Sequence, residues 1–161
     1  MNKQEILQKL DEEKIDYQVV NHPAVFTSEE ADKYVKGYEF GRVKNLFLRT
    51  ANKKHYYLVL IDENDRLDFK HFRDIAQTSR VSMASSDELE EKLGVTPGSV
   101  SPFGLLNNEE KDVELDVQKK ILKDEYIGVH PNDNTATVIL KTEDLIDFLK
   151  NNGFEIRVLD L

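Results

Sequence analysis

The chain has 161 residues, of which 39% are hydrophobic, which suffices for one core and predicts a single domain over residues 1–161. Its net charge of −9 argues against broad non-specific binding of nucleic acid, which depends on many lysine and arginine contacts to phosphates. The absence of cysteine excludes disulfides and thiol chemistry, and no apolar run is long enough for a transmembrane helix or a signal peptide. These features predict a soluble, cytoplasmic protein with no membrane contact.

The first predicted elements are a helix, a short strand and a second helix. Apolar residues at helical spacing predict a helix over residues 3–13, and a β-prone segment follows at residues 17–20. Thr27 and Glu30 have the spacing of a capping box, which predicts a helix over about residues 28–35.

A hairpin is predicted next, with strands over residues 43–50 and 56–61 joined by the polar turn 51–55. Asp68 is suited to cap a helix over about residues 69–77.

A second capping box, Ser85 with Glu88, predicts a helix that ends near Gly94, and Thr142 is predicted to cap the last helix, which ends at Gly153. The remaining strands are predicted over residues 113–117, 126–129, 135–140 and 154–159. This order gives six or seven strands among four or five helices, with spacing too irregular for a doubly wound parallel sheet. We therefore predict an α/β domain in which helices surround a mixed sheet.

The loop Gly94–Gly104 contains three glycines and two prolines in eleven residues. Proline restricts the backbone and glycine allows another molecule to approach it closely, so this loop has a fixed path and is suited to form the wall of a small-molecule pocket. The same composition also fits an ordered structural turn.

Lys44 precedes an apolar run, where an ammonium group must reach water or an anion, so it is a candidate anchor for a phosphate or a carbonyl oxygen. A lysine at a strand end that simply reaches solvent is the alternative. Asn45 follows it, and adjacent side chains of a regular strand point to opposite faces, so both serve one site only at a bulge or a strand end. His130 lies in a polar turn between strands, where it either binds a ligand or orders the turn.

Motifs for metals and nucleotides are missing from the sequence. It contains no His-Glu-x-x-His, no calcium loop and no glycine-rich phosphate cradle. We therefore predict no metal and no cofactor.

Three of these motifs occur in the order seen in one family. The pair Lys44-Asn45 at the start of a strand, the Gly-x-x-x-Pro loop Gly98–Pro102 and the turn His130–Thr135 resemble the YbaK/ProX editing-domain family. The longer segment Leu93–Leu105 and the segment His22–Thr27 are most similar to its ProX branch.

The resemblance implies the editing-domain fold and the hydrolysis of a wrong amino acid from tRNA(Pro), with alanyl-tRNA(Pro) as the first choice of substrate. It implies Lys44 as the catalytic residue that orients the terminal nucleotide and its ester. The implied substrate-binding residues are Val25, Phe26, Thr27, Asn45, Gly98, Ser99, Ser101, Pro102, His130 and Asn134. The implied partners are the acceptor end of tRNA(Pro) and prolyl-tRNA synthetase.

Two other functions remain open from the sequence. One is a deacylase for cysteinyl-tRNA(Pro), as in other branches of the family. The other is a non-catalytic module that senses a free amino acid or docks on a synthetase, because the implied chemistry needs no protein nucleophile.

Overall fold

The computed structural model describes residues 1–161, apart from the side chain of Ser28. The helices of this part of the chain are α1 (Lys3–Glu12), α2 (Ser28–Asp32), α3 (Phe69–Ala76), α4 (Ser86–Leu93) and α5 (Thr142–Asn151). The strands are β1 (Tyr17–Asn21), β2 (Gly41–Thr50), β3 (Tyr56–Asp62), β4 (Val81–Met83), β5 (Val113–Gln118), β6 (Tyr126–Val129), β7 (Ala136–Lys141) and β8 (Ile156–Leu159). Among these helices, none is both long and apolar enough to cross a membrane.

The strands form one mixed sheet in the order β1-β7-β6-β2-β3-β5-β8, with β4 paired to β2. Strand β3 pairs parallel to β5, β5 parallel to β8, and β2 parallel to β6, whereas the other pairs are antiparallel. The prediction of a mixed sheet is therefore confirmed. The predicted number of six or seven strands was too low, because β4 has only three residues and shows no measurable alternation.

Strand β3 lies inside the sheet, between β2 and β5, and this position explains the continuous apolar run in this part of the sequence. Its alternate residues Tyr56, Leu58 and Leu60 belong to the main core, which α1, α4 and α5 cover. Tyr57 and Val59 belong to a second core on the other face, against α3. Because both faces are covered, both sets of side chains must be apolar.

The helix ends follow the predicted capping in two cases. Asp68 accepts hydrogen bonds from the backbone N–H groups of Lys70 and His71 at the start of α3. At the start of α4, Ser85 and Glu88 form both bonds of the capping box, and the helix ends at Gly94 in the left-handed conformation, with φ of 66°.

The prediction that Thr142 caps the last helix was wrong. Thr142 is the first residue of α5, and its hydroxyl donates to the carbonyl of Asp124 at 2.7 Å.

Of the capping box predicted at the start of α2, only one of the two hydrogen bonds is present. Thr27 accepts from the N–H of Glu30 at 3.2 Å, but the Glu30 carboxylate accepts from the N–H of Phe26 at 3.3 Å.

A network of two carboxyl groups and one guanidinium, Glu114, Asp116 and Arg157, joins β5 to β8. The Asp116 side chain is fully buried, and Arg157 donates to it from Nε at 3.0 Å and from Nη2 at 3.2 Å. Arg157 Nη2 also lies 2.6 Å from Glu114 Oε2. Burial, followed by the adjacent Asp116, raises the pKa of Glu114 from 4.5 to about 8.

Because the pKa of Glu114 is raised from 4.5 to about 8, we predict that its ionisation lowers the free energy of unfolding as the pH rises from about 4.5 to about 8. In the unfolded chain, Glu114 loses its proton near pH 4.5, whereas the folded chain retains it up to about pH 8, so folding binds a proton in between. When the pH is raised from 5 to 9, we expect the free energy of unfolding, measured in urea, to fall less for Glu114→Gln than for the wild type. The exposed control Glu109→Gln should follow the wild type, and an unchanged pH dependence in Glu114→Gln would contradict the assignment.

Candidate active site

The sheet has an opening on one edge of β2. On this edge, Gly41 and Arg42 pair with β6, and Leu48–Thr50 pair with β4. In the described ladder, residues 43–46 pair with β3 only. A cavity of about 230 Å³ lies at this opening, between the end of β6, helix α2 and the loop that follows α4.

The lining of the cavity combines residues of six segments of the chain. It consists of Phe26, Thr27, Ala31, Asp32, Val35, Phe40, Arg42, Val43, Lys44, Asn45, Glu63, Pro97, Gly98, Val100, Gly128, Val129, His130 and Thr137.

Lys44 and Asn45 are neighbours in β2, and both line the cavity. Their side chains leave opposite faces of the strand, as the regular pairing with β3 requires. Because the cavity lies at an unpaired edge, it is open to side chains from both faces. The buried Asn45 Oδ1 has no hydrogen-bond partner in the described part of the chain.

The loop after α4 forms one wall of the cavity through Pro97, Gly98 and Val100. Residues Pro97–Ser99 form a short 3-10 helix. A Cβ on Gly98 would lie 3.1 Å from Cδ1 of Phe26, so the absence of a side chain lets the Phe26 ring pack against the backbone. At this position the loop is therefore an ordered wall of the cavity.

The other predicted residues of this loop lie behind the wall. Ser99, Ser101 and Pro102 are buried, and they are not part of the cavity lining. The Ser101 hydroxyl accepts from the N–H of Phe103 at 3.1 Å and caps the second 3-10 helix, Pro102–Asn107. These residues fix the path of the loop.

The rim beside Gly98 carries Phe26 and Thr27, and Phe26 is 73% exposed. Val25 is buried and lies outside the lining. Asn134 also lies outside it, and its Nδ2 donates to the carbonyl of Val25 at 2.9 Å while the N–H of Val25 donates to the Asn134 carbonyl at 3.2 Å. Asn134 thus holds the segment that carries Phe26.

His130 reaches the cavity from the end of β6. Its Nδ1–H donates to the carbonyl of Ala136 at 2.9 Å, which leaves Nε2 as the nitrogen available to a ligand. Burial lowers the pKa of His130, and the nearby His22, whose ring centroid is 6.3 Å away, lowers it further. His130 is therefore a neutral hydrogen-bond acceptor at Nε2 near neutral pH.

A titration of His130 tests this assignment. We expect the midpoint of its imidazole NMR shifts to lie below the ordinary value of 6.5, because burial disfavours the charged form. A midpoint at or above 6.5 would contradict a buried, neutral His130.

Sequence reasoning missed the charged residues on the far side of the cavity, because Asp32, Arg42 and Glu63 are distant from one another in the chain. Arg42 Nε lies 2.8 Å from Asp32 Oδ1, and its guanidinium lies 4.1 Å from the centre of the Phe40 ring. Burial, followed by the charge of Asp32, raises the pKa of Glu63. No motif of the sequence identified these three residues as part of a site.

A glycine of β6 shapes the same side. A Cβ on Gly128 would lie 2.5 Å from Cε2 of Phe40 and 3.1 Å from Cγ2 of Thr137, and both of these residues line the cavity.

In the described residues, no group of three or more histidine, aspartate or glutamate side chains is placed to hold a metal ion.

Residues 22–148 match the family model of the aminoacyl-tRNA editing domain, and the chain belongs to this family. This membership confirms the family resemblance read from the sequence and the class of enzyme that it implied, an aminoacyl-tRNA deacylase.

Individual relatives support the same assignment. The chain is 41% identical over 160 residues to the prolyl-tRNA editing protein ProX of Acetoanaerobium sticklandii, a match that covers 99% of this chain and 97% of the relative. It is 31% identical over 147 residues to prolyl-tRNA synthetase associated domain-containing protein 1 of Bos taurus, covering 89% and 85% of the two chains. A crystal structure of a proposed trans-editing enzyme for prolyl tRNA synthetase superposes with a TM-score of 0.73 at 22% identity, over 98% of this chain and 95% of the other, and shows the shared fold.

Proposed function

We propose that this protein edits mischarged tRNA(Pro) by hydrolysing the ester of its wrong amino acid, and that alanine is the amino acid removed. The observation that carries the proposal is the small cavity at the open edge of β2. Lys44 and Asn45 line this cavity together with the ordered loop wall, which consists of Pro97, Gly98 and Val100. The tRNA is inferred from the relative named as a prolyl-tRNA editing protein, which matches nearly the whole chain.

Lys44 supplies a positive charge at the cavity. In the proposed reaction, its ammonium orients the terminal nucleotide and its ester and stabilises the negative charge that develops on the tetrahedral intermediate. Backbone groups of Gly98 and Val100, which line the cavity, hold the ester carbonyl, and water is the nucleophile. The ribose hydroxyl of the tRNA helps to activate this water, as the family resemblance implies.

The small difference in size between alanine and proline explains why an editing site is needed in addition to the synthetase pocket. A synthetase pocket shaped for proline rejects a smaller apolar amino acid by only about 1–3 kcal/mol per methylene. A wall of fixed path, such as the one around Gly98, admits alanine and excludes the larger proline ring. The 3-10 helices on both sides of Val100 support this rigidity.

The partner is the acceptor end of tRNA(Pro), because a chain with a net charge of −9 binds little of the tRNA body by charge alone. We propose that the protein receives its substrate after release from prolyl-tRNA synthetase and acts in the cytoplasm, where tRNA is charged.

Hydrolysis of alanyl-, cysteinyl- and prolyl-tRNA(Pro) by the purified protein tests the proposal. We expect alanyl-tRNA(Pro) to lose its amino acid fastest and prolyl-tRNA(Pro) to remain intact. Faster loss of cysteine would assign the cysteinyl substrate instead. No hydrolysis, together with tight calorimetric binding of free alanine or proline, would replace the enzyme with an amino-acid sensor.

A further inference from the structure

Asn45 is unusual among the residues of the cavity because it buries an acceptor atom without a donor. Two buried side-chain oxygens of the described residues, Asn45 Oδ1 and Asn132 Oδ1, have neither a hydrogen-bond partner nor an ion-pair partner, whereas Glu114 Oε2 lies 2.6 Å from Arg157 Nη2. Of these residues, only Asn45 lines the cavity. A buried acceptor without a donor destabilises the folded protein by about 1–3 kcal/mol. A ligand that brings a donor to Asn45 removes this cost.

The chemistry around Asn45 favours a donor that carries positive charge. The available nitrogen of His130 is also an acceptor, because its other nitrogen donates to the Ala136 carbonyl. Glu63, which lines the same cavity, forms no ion pair in the described part of the chain, whereas Arg42 is neutralised by Asp32. Among the charged groups of the lining, Lys44 is thus the cation that lies outside an ion pair of the described residues. Asn45 Oδ1, the available nitrogen of His130 and the Glu63 carboxyl group are the acceptors open to a ligand.

We infer that Asn45 Oδ1 accepts a hydrogen bond from the α-ammonium group of the aminoacyl ester, so that the cavity selects esters with a free amino group over N-acylated ones. This inference rests on the proposed function. The α-ammonium is one carbon from the scissile carbonyl, so a bond to it also positions that carbonyl. Esters of peptides or acylated amino acids have no ammonium to offer.

Two substrates that differ only at the amino group test the inference. Wild-type protein is assayed on alanyl-tRNA(Pro) and on N-acetylalanyl-tRNA(Pro), and we expect at least about a tenfold preference for the free amine, as one hydrogen bond to a charged donor supplies. In Asn45→Ala, we expect a slower reaction on alanyl-tRNA(Pro) and a preference close to one. Asn45→Asp retains an acceptor and should retain the preference.

Asn64→Ala is the matched control, since Asn64 is an exposed asparagine outside the cavity lining. Its rates and preference should equal those of the wild type. If Asn45→Ala keeps the wild-type preference, or if the wild type hydrolyses both esters equally, the inference is wrong while the proposed function stands. If the wild type hydrolyses neither ester, the proposed function itself fails.

Discussion

Lys44→Ala is expected to reduce the rate of alanyl-tRNA(Pro) hydrolysis by about 100- to 1000-fold, the usual effect of removing one group that stabilises transition-state charge. Lys44 lines the cavity at the open edge of β2, outside the ion pairs of the described residues. Its removal should leave the fold intact, because alanine leaves the backbone pairing with Ile61 unchanged. Single-turnover hydrolysis measures the rate, and thermal unfolding measures the fold.

Lys54→Ala is the control for this experiment. Lys54 is an exposed lysine of the turn between β2 and β3, outside the cavity lining. Its replacement removes the same charge from the protein, so its rate should remain near that of the wild type. A Lys44→Ala protein with near-normal activity would exclude Lys44 from the reaction.

Arg157→Ala is expected to lower the free energy of unfolding by about 3–5 kcal/mol, the usual cost of removing one partner of a buried ion pair. The substitution leaves Asp116, whose side chain is fully buried, without its two hydrogen bonds from the guanidinium. It also removes the bond from Arg157 Nη1 to the carbonyl of Ala76 at 3.1 Å, which links β8 to the end of α3. Urea unfolding at pH 7 measures the loss.

The matched substitution Arg66→Ala removes an exposed arginine and should change the free energy of unfolding by less than about 0.5 kcal/mol. If Arg157→Ala unfolds at the same urea concentration as Arg66→Ala, the network does not stabilise the protein as described.

Local signals in the sequence predicted most elements, because they depend on nearby residues. The capping of α3 by Asp68 and of α4 by Ser85 uses side chains within three residues of the N–H groups that they bind. Thr142 was misjudged because its hydroxyl bonds to Asp124, eighteen residues away, which no local pattern reveals. Strand β4 was missed because its pairing with β2, and not its own three residues, defines it.

The residues of the candidate site also fall into those that local motifs predicted and those that depend on strand pairing. Lys44, Asn45, Gly98 and His130 were predicted from motifs, and all of them line the cavity. Glu63 came from no motif, since it enters the cavity only through the pairing of β2 with β3, in which its N–H donates to the carbonyl of Arg42 at 3.0 Å.

The opening in the sheet could not be predicted either. It exists because β6 and β4 occupy the two ends of the same edge of β2 and leave residues 43–46 between them. Strand pairing of this kind joins segments that are far apart in the chain, so it depends on the whole fold.

The central claim is that this cavity removes a small wrong amino acid from tRNA(Pro) and spares proline. The most direct measurement is the rate of ester hydrolysis by the wild-type protein on alanyl-tRNA(Pro) and on prolyl-tRNA(Pro), under the same conditions. We predict rapid loss of alanine and no loss of proline above the spontaneous rate. Equal hydrolysis of both esters, or hydrolysis of neither, would contradict the claim.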